Sequence, residues 1–382
     1  MARCLKVAVI GAGVSGLSAA RELKMEGHRV VVYEKGDRLG GTWLYDPGAE
    51  TDPLSLDSDR EMVHSSLYLS LRTNHPRHLM GFLDYPFTDR KNGDSRNFPG
   101  HEEVIKFGED FARDYGLTEL IRLNTEVVGV ERVDESRNEE WKVESRRKGL
   151  RSQEVFEAVV VCNGHCTEPR LGKIPGIEKW AGKQVHSHNY RVPQPFRDQI
   201  DYVFEDGRVA FEDGYSVRAD IIFHCTGYKY HFPFLKTNGI VSIDDNRVGP
   251  LYKHVFPPEF GPCLSFVGIP YQVILFHMIE LQSKWIAYVL SGKLLLPSKE
   301  EMLADVQQHY CHMEEVGIPK HHTHRLYPYE FEYMDWLADK VGLPPVEERL
   351  KVIYNQLCEI GRIPGKRFRD EWDIDKWIQE AI

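Results

Sequence analysis

The chain has 382 residues, 42% hydrophobic and 28% charged, with a formal net charge of −10. That length holds two domains or one large domain with an insertion, and the composition is that of a soluble globular protein with a sizeable core. The acidic balance excludes the basic field of a nucleic-acid binder. Seven scattered cysteines form no CxxC pair, so a disulfide framework or a zinc ribbon is not expected, and reduced thiols in the cytoplasm are.

The start, MARCLKVAVIGAG, has too short an apolar run for a signal peptide and leads straight into a predicted strand, Leu5 to Ile10. GAGVSG follows, with Gly11, Gly13 and Gly16 in G-x-G-x-x-G spacing. Leu17, Ala20, Leu23 and Lys24 keep helical phase up to Gly27, and Arg29 to Tyr33 is a second strand ending at Glu34. Gly11 permits the tight turn, Gly13 the approach of a pyrophosphate, and Gly16 close packing of helix on strand. The helix N-terminus offers N–H groups to phosphate, and Glu34, about 20 residues on, stands where a carboxylate takes ribose hydroxyls. Glu34 alone allows NAD or FAD. The glycine pair in Leu39-Gly40-Gly41-Thr42-Trp43 either lets backbone pass a flat ligand or makes a simple turn.

Asn74, by residue type, is a turn residue. Ala158 to Cys162 ends at Asn163-Gly164, and Ile221 to Cys225 ends at Thr226-Gly227. Both read as buried parallel strands whose C-terminal ends meet a ligand. His186 and His188 share one face of a predicted strand and could bind metal, but no third ligand follows, so a structural pair is expected. FEDG occurs at 204–207 and at 211–214. Tyr202–Glu205 and Arg208–Phe211 flank Asp206-Gly207 as a hairpin, and a second turn at Asp213-Gly214 leads on to Val217. The late run YQVILFHMIELQSKWIAYVL is broken by His277, Glu280, Gln282 and Lys284, short of the about 18 uninterrupted apolar residues of a membrane span. His321, His322 and His324 read as a solvated run.

On these residues the chain resembles the flavin-containing monooxygenases, most closely the plant group that S-oxygenates methylthioalkyl glucosinolates. GAGVSG, Glu34 and GGTW match the FAD-binding start of that family. Leu71 to Pro76 matches its active-site asparagine segment, and Asn97 to His101 with Asp110-Phe111-Ala112 the helix region after it. Trp180, Gly182, His186 and Tyr190 fit the identifying pattern F-x-G-x-x-x-H-x-x-x-Y with tryptophan for phenylalanine. Cys225-Thr226-Gly227-Tyr228 fits A-T-G-Y, and Leu281 to Trp285 matches the late helix. The resemblance implies an α/β flavoprotein of two dinucleotide-binding domains, the first Rossmann-like and binding FAD, with NADPH as reductant. It implies transfer of oxygen from a flavin C4a-hydroperoxide to a small-molecule thioether, turning methylthioalkyl into methylsulfinylalkyl side chains. Implied cofactor-binding residues are Gly11, Gly13, Gly16, Glu34, Gly40, Gly41, Thr42, Trp43, Thr226 and Gly227, and the implied catalytic residue is Asn74.

The family also implies a second glycine loop, for NADPH, just after Arg197-Asp198-Gln199. After Gly13 the sequence has no other G-x-G. A βαβ nucleotide unit needs about 30 residues, and the chain passes at once into the FEDG stretch. The expected fold class is therefore α/β with a truncated second nucleotide domain. Residues 1–165 are the N-terminal part of the FAD domain, 166–215 the remnant of the NADPH domain, and 216–382 the rest of the FAD domain with C-terminal helices. Weak or absent NADPH-driven turnover is the expected consequence. The alternatives are a non-catalytic flavin- or partner-binding chain, and a flavoprotein served by a reductase partner. Surface exposed by the lost segment favours a homo-oligomer.

Overall fold

The computed structural model describes residues 3–88, 93–133, 140–172, 174–180, 182–193, 208–210, 216–361 and 368–371. They divide into two compact units. Unit 1 comprises residues 1–41, 72–164 and 232–382, and unit 2 comprises 42–71 and 165–231.

Unit 1 is built on five parallel strands. β1 (Lys6–Ile10), β2 (Arg29–Tyr33), β3 (Ile121–Arg122), β7 (Ala158–Val161) and β12 (Leu264–Phe266) lie in the order β12-β7-β1-β2-β3. The sequences KVAVI, RVVVY and AVVV are rich in β-branched residues, which suit the pleat. Every residue of β7 and of β12 is buried, as expected of a parallel sheet covered on both faces. Between β4 (Glu126–Arg132), β5 (Trp141–Arg147) and β6 (Leu150–Phe156) runs an antiparallel meander. Its Trp141 is 1% exposed and meets the Phe260 ring edge-on, with centroids 5.4 Å apart.

Helix α1 (Val14–Met25) packs on α3 (Leu275–Leu290), the broken apolar run of the sequence. Among the described residues no helix is long and apolar enough to cross a membrane. Arg21 sits inside this packing with its side chain 1% exposed. Its Nε meets Glu22 at 2.7 Å and its Nη2 meets Glu280 at 2.8 Å, while its guanidinium lies over the Phe111 ring of α2 (His101–Asp114). Burial works to lower the guanidinium, but Glu22, Glu280 and Asp84 carry it above its ordinary value. Burial likewise holds the Glu280 carboxyl above its ordinary range, against the pull of Arg21.

Unit 2 joins two stretches of the chain that are far apart in sequence. Residues 42–71 fold with 165–231 because their backbones bond directly: the His186 N–H donates to Pro53 O at 2.9 Å, and the Leu69 N–H to Arg191 O at 2.9 Å. Strand β8 (Lys183–His186) pairs in parallel with β11 (Ile221–His224). The sequence reads 221–225 as a buried strand, yet β11 is only half-buried and Phe223 is 38% exposed, since β8 is its one strand neighbour among the described residues. Across the second FEDG, β9 (Arg208–Ala210) pairs antiparallel with β10 (Ser216–Arg218). The expected hairpin at Asp206-Gly207 lies outside the described residues.

Replacing Arg21 with Met strands Glu280 without its cation. Arg21→Met is expected to cost about 3–5 kcal/mol, read as a fall in the urea midpoint, and adding Glu280→Leu should recover much of that loss.

Candidate functional site

The glycine loop after β1 is fixed by contacts that leave no room for a side chain. Gly11 has φ +105°, and a Cβ there would lie 2.5 Å from the Cys162 carbonyl oxygen at the end of β7. A Cβ on Gly16 would lie 1.8 Å from the Gly11 carbonyl oxygen. Helix α1 therefore begins pressed onto the sheet. Gly13 is its N-cap, no side chain caps it, and its first turn carries no acid. The first-turn N–H groups have no intrahelical acceptor and point, with the positive end of the helix dipole, toward whatever anion approaches.

The second glycine pair closes over this loop. Gly40 donates its N–H to Ala12 O at 3.0 Å, and Gly41, at φ +56°, would bring a Cβ to 3.0 Å from Gly13 Cα. Glu34 is buried. Its Oε2 accepts the Ala12 N–H at 2.8 Å and its Oε1 accepts the Gly36 N–H at 2.7 Å. Each oxygen keeps a second lone pair, so Glu34 can shape the loop and still accept a ribose hydroxyl. Gly11, Gly13, Gly16, Glu34, Gly40 and Gly41 thus form one cradle, and an open helix end beside bare backbone fits a dinucleotide.

One support of the cradle escaped the sequence reading. Gly268, just beyond β12, has φ +83°, and a Cβ there would lie 2.7 Å from Ser15 Oγ in the first turn of α1. Its N–H donates to Gln282 Oε1 at 3.0 Å, Gln282 Nε2 donates to Tyr333 Oη at 2.8 Å, and that hydroxyl donates to Lys253 O at 2.8 Å. The signal was present: an apolar strand followed by glycine, as at Asn163-Gly164.

Thr42 and Trp43 belong to the turn Gly41–Trp43 and open unit 2. Thr226 and Gly227 hold that unit together: the Thr226 hydroxyl donates to Arg170 O, and Gly227 O accepts the Arg170 N–H at 2.9 Å. Asn74 is an exposed turn residue of unit 1 whose Oδ1 accepts from Arg369, while Arg72 pairs with Asp370.

Unit 2 has a buried polar centre that the sequence reading did not foresee. Glu50 meets Arg60 at 2.7 Å and His188 at 3.1 Å, and Arg60 meets Glu168 at 2.8 Å. His188 is not on the strand with His186. It lies in the turn Ser187–Asn189, because His186 Nδ1 accepts the His188 N–H at 3.0 Å and bends the chain. His186 Nε2 then donates to Gly227 O at 3.1 Å, so the ring is neutral and fully used. No three His, Cys, Asp or Glu among the described residues could hold a metal.

Burial brings His186 down to about 4 and lowers His188 against the pull of Glu50. Burial works to raise Glu50, but the Ser55 hydroxyl, His188 and Arg60 together hold it below its ordinary range. Imidazoles kept neutral in the fold charge in the unfolded chain below pH 6.5, so their contribution is complete above 6.5 and is lost as the pH falls toward 4. Glu50 acts in the same direction below 4.5. The melting temperature is expected to fall steadily from pH 6.5 to 4, and His186→Gln should make that acid branch shallower by about one proton.

Comparison with known proteins agrees with this geometry. The family described as "Flavin-binding monooxygenase-like" matches residues 4–210 and 199–355. Flavin-containing monooxygenase FMO GS-OX5 of Arabidopsis thaliana is 46% identical over 434 aligned positions, which take in 99% of this chain and 94% of that protein. FMO GS-OX1 of the same plant is 44% identical, over 98% of this chain and 93% of its own. Among solved structures, S-allyl-L-cysteine S-oxygenase from Allium sativum superposes with a TM-score of 0.93 at 47% identity, covering 99% of this chain and 98% of its own. The chain therefore belongs to the flavin-binding monooxygenase-like family, an α/β enzyme family with a Rossmann-like sheet whose cofactors are FAD and NADPH.

Proposed function

We propose that this chain is an S-oxygenase of thioethers that acts on methylthioalkyl side chains of the glucosinolate type, and that its turnover with NADPH is weak. The observation that carries the oxygenase reading is the cradle of Gly11, Gly13, Gly16, Gly40 and Gly41 in a chain 47% identical to an S-oxygenase along almost its whole length. FAD, when bound and reduced, supplies activated dioxygen, of which one atom passes to a soft nucleophile such as a thioether sulfur and the other leaves as water.

The chain's own residues supply binding and orientation. The first turn of α1 takes the pyrophosphate, and Glu34 accepts a ribose hydroxyl through its spare lone pairs. Thr42, Trp43, Thr226 and Gly227 are proposed to border the bound cofactor. Asn74 is proposed to donate a hydrogen bond at the reacting oxygen. Arg369 engages its Oδ1 only, which leaves the two Nδ2 hydrogens as donors.

Several observations support a shortened second nucleotide domain. The alignments run over 434 positions against a chain of 382 residues. The family match comes in two segments that meet at 199–210. The sequence holds no second G-x-G, and β8 with β11 is a half-exposed pair rather than part of a covered sheet. The segments 1–165, 166–215 and 216–382 are proposed as the ancestral pieces. The exposed Phe223 and Ile174 favour a homo-oligomer, and the cytoplasm is the proposed location. The missing loop equally favours a second reading, a flavin- or partner-binding chain without turnover, or one reduced by a partner protein.

Anaerobic titration with NADPH, followed by flavin absorbance, separates these readings. The expected result is a yellow protein that bleaches slowly with NADPH. Bleaching within the mixing time, followed by sulfoxide formation from a methylthioalkyl substrate on admission of air, would show the nicotinamide site to be intact. A colourless protein would remove the oxygenase reading. Gly16→Ala is expected to abolish flavin retention, because its Cβ collides with the Gly11 carbonyl.

A further inference from the structure

Away from the cradle, unit 1 contains a cavity of about 520 Å³. It lies among the turn at Leu251–His254, α4 (Lys299–Glu315) and α5 (Glu330–Lys340). Its volume falls in the range of small-molecule sites, about 300–1,000 Å³, and like them it joins apolar walls to a few polar groups. Leu251, Met313 and Trp336 supply apolar and aromatic surface.

Two donors in this cavity lack acceptors. His324, read in the sequence as solvated, is 2% exposed and packed against His254, which lines the cavity. Its Nε2 accepts the Val248 N–H at 3.0 Å, so its proton sits on Nδ1 and is donated to His254 Nδ1, 3.0 Å away. A neutral His254 then carries its own proton on Nε2. That ring is 8% exposed and lines the cavity, and among the described residues its Nε2–H has no acceptor. Arg325 lines the same cavity, and among the described residues it has no acidic partner. Of the two carboxylates present, Asp305 is paired with Lys253 at 2.6 Å and Glu332 makes no ion pair with Arg325.

The backbone that presents His254 is held in a costly shape. Lys253 and His254 are consecutive non-glycine residues at φ +48° and +61°. The Tyr333 hydroxyl, donating to Lys253 O, keeps the turn in place. Such strain persists where the surroundings over-determine it, often at ligand sites.

We propose that this cavity is a second small-molecule site, which takes a carboxylate on an aromatic or hydrocarbon body. The carboxylate sits between the Arg325 guanidinium and the His254 Nε2–H, and the body lies against Trp336 and Leu251. Of the lining carboxylates, Asp305 is already engaged by Lys253, which leaves an amine Glu332 alone, against the two donors, Arg325 and His254, that a carboxylate finds.

Calorimetric titration of the flavin-loaded chain with phenylacetate and with phenethylamine tests the assignment. Saturable phenylacetate binding is expected, with the amine at least about tenfold weaker, and Arg325→Met should weaken phenylacetate about tenfold while flavin is retained. If Arg325→Met does not fold, His254→Phe keeps the volume, removes the Nε2 donor, and carries the same expectation. Equal binding of acid and amine, unchanged phenylacetate binding by the variant, or no phenylacetate binding by a protein that holds its flavin would each overturn the proposal.

Discussion

Backbone lies against backbone at three points of the glycine cradle: Gly11 on the Cys162 carbonyl, Gly16 on the Gly11 carbonyl, and Gly41 on Gly13. These contacts fix where α1 starts, and so where its uncapped N–H groups are aimed. They also fix the spacing of β1 and β7, since a side chain at Gly11 would push those strands apart. The parallel sheet, the helix on its face and the uncapped helix end are consequences of one steric condition. Glu34 and Gly268 add hydrogen bonds and close packing that brace the same loop from two sides.

The interior of unit 1 joins this cradle to the C-terminal helices by polar links as well as by apolar packing. Arg21 on α1 meets Glu280 on α3 where both are nearly inaccessible to water. Two residues further along α3, Gln282 passes from Gly268 to Tyr333 on α5. Buried polar groups carry a desolvation cost that only correct partners offset, so such links fix the register of helix on helix more sharply than apolar contact alone. The cavity beside Lys253 and His254 lies at the far end of that chain of bonds.

Unit 2 shows another way of holding a small body together. Its described strands are short, and its centre is the buried polar cluster of Glu50, Arg60, His188 and Glu168. His186 and Gly227, which the family pattern singles out, appear here as hydrogen-bonded supports for neighbouring backbone.

The glycines and Glu34 were legible in the sequence because their task is local: a tight turn, a helix start and a strand end announce themselves by spacing. The strands β1, β2 and β7 were legible for the same reason, through runs of valine and isoleucine. Ile221–His224 carries the same kind of run and misled, because burial depends on which strands lie beside it, and those come from elsewhere in the chain. His324 misled in the opposite sense, since nothing in HHTHR announces that His254, 70 residues away in sequence, accepts its hydrogen bond. By itself the sequence determined the glycine turn at the start of α1 and the family resemblance, both written in residue types at fixed short spacing. Only the tertiary structure decided that residues 42–71 fold with 165–231, that Thr226 serves Arg170, and that His254 and Arg325 face one cavity. These depend on pairings between distant segments, which local spacing does not encode.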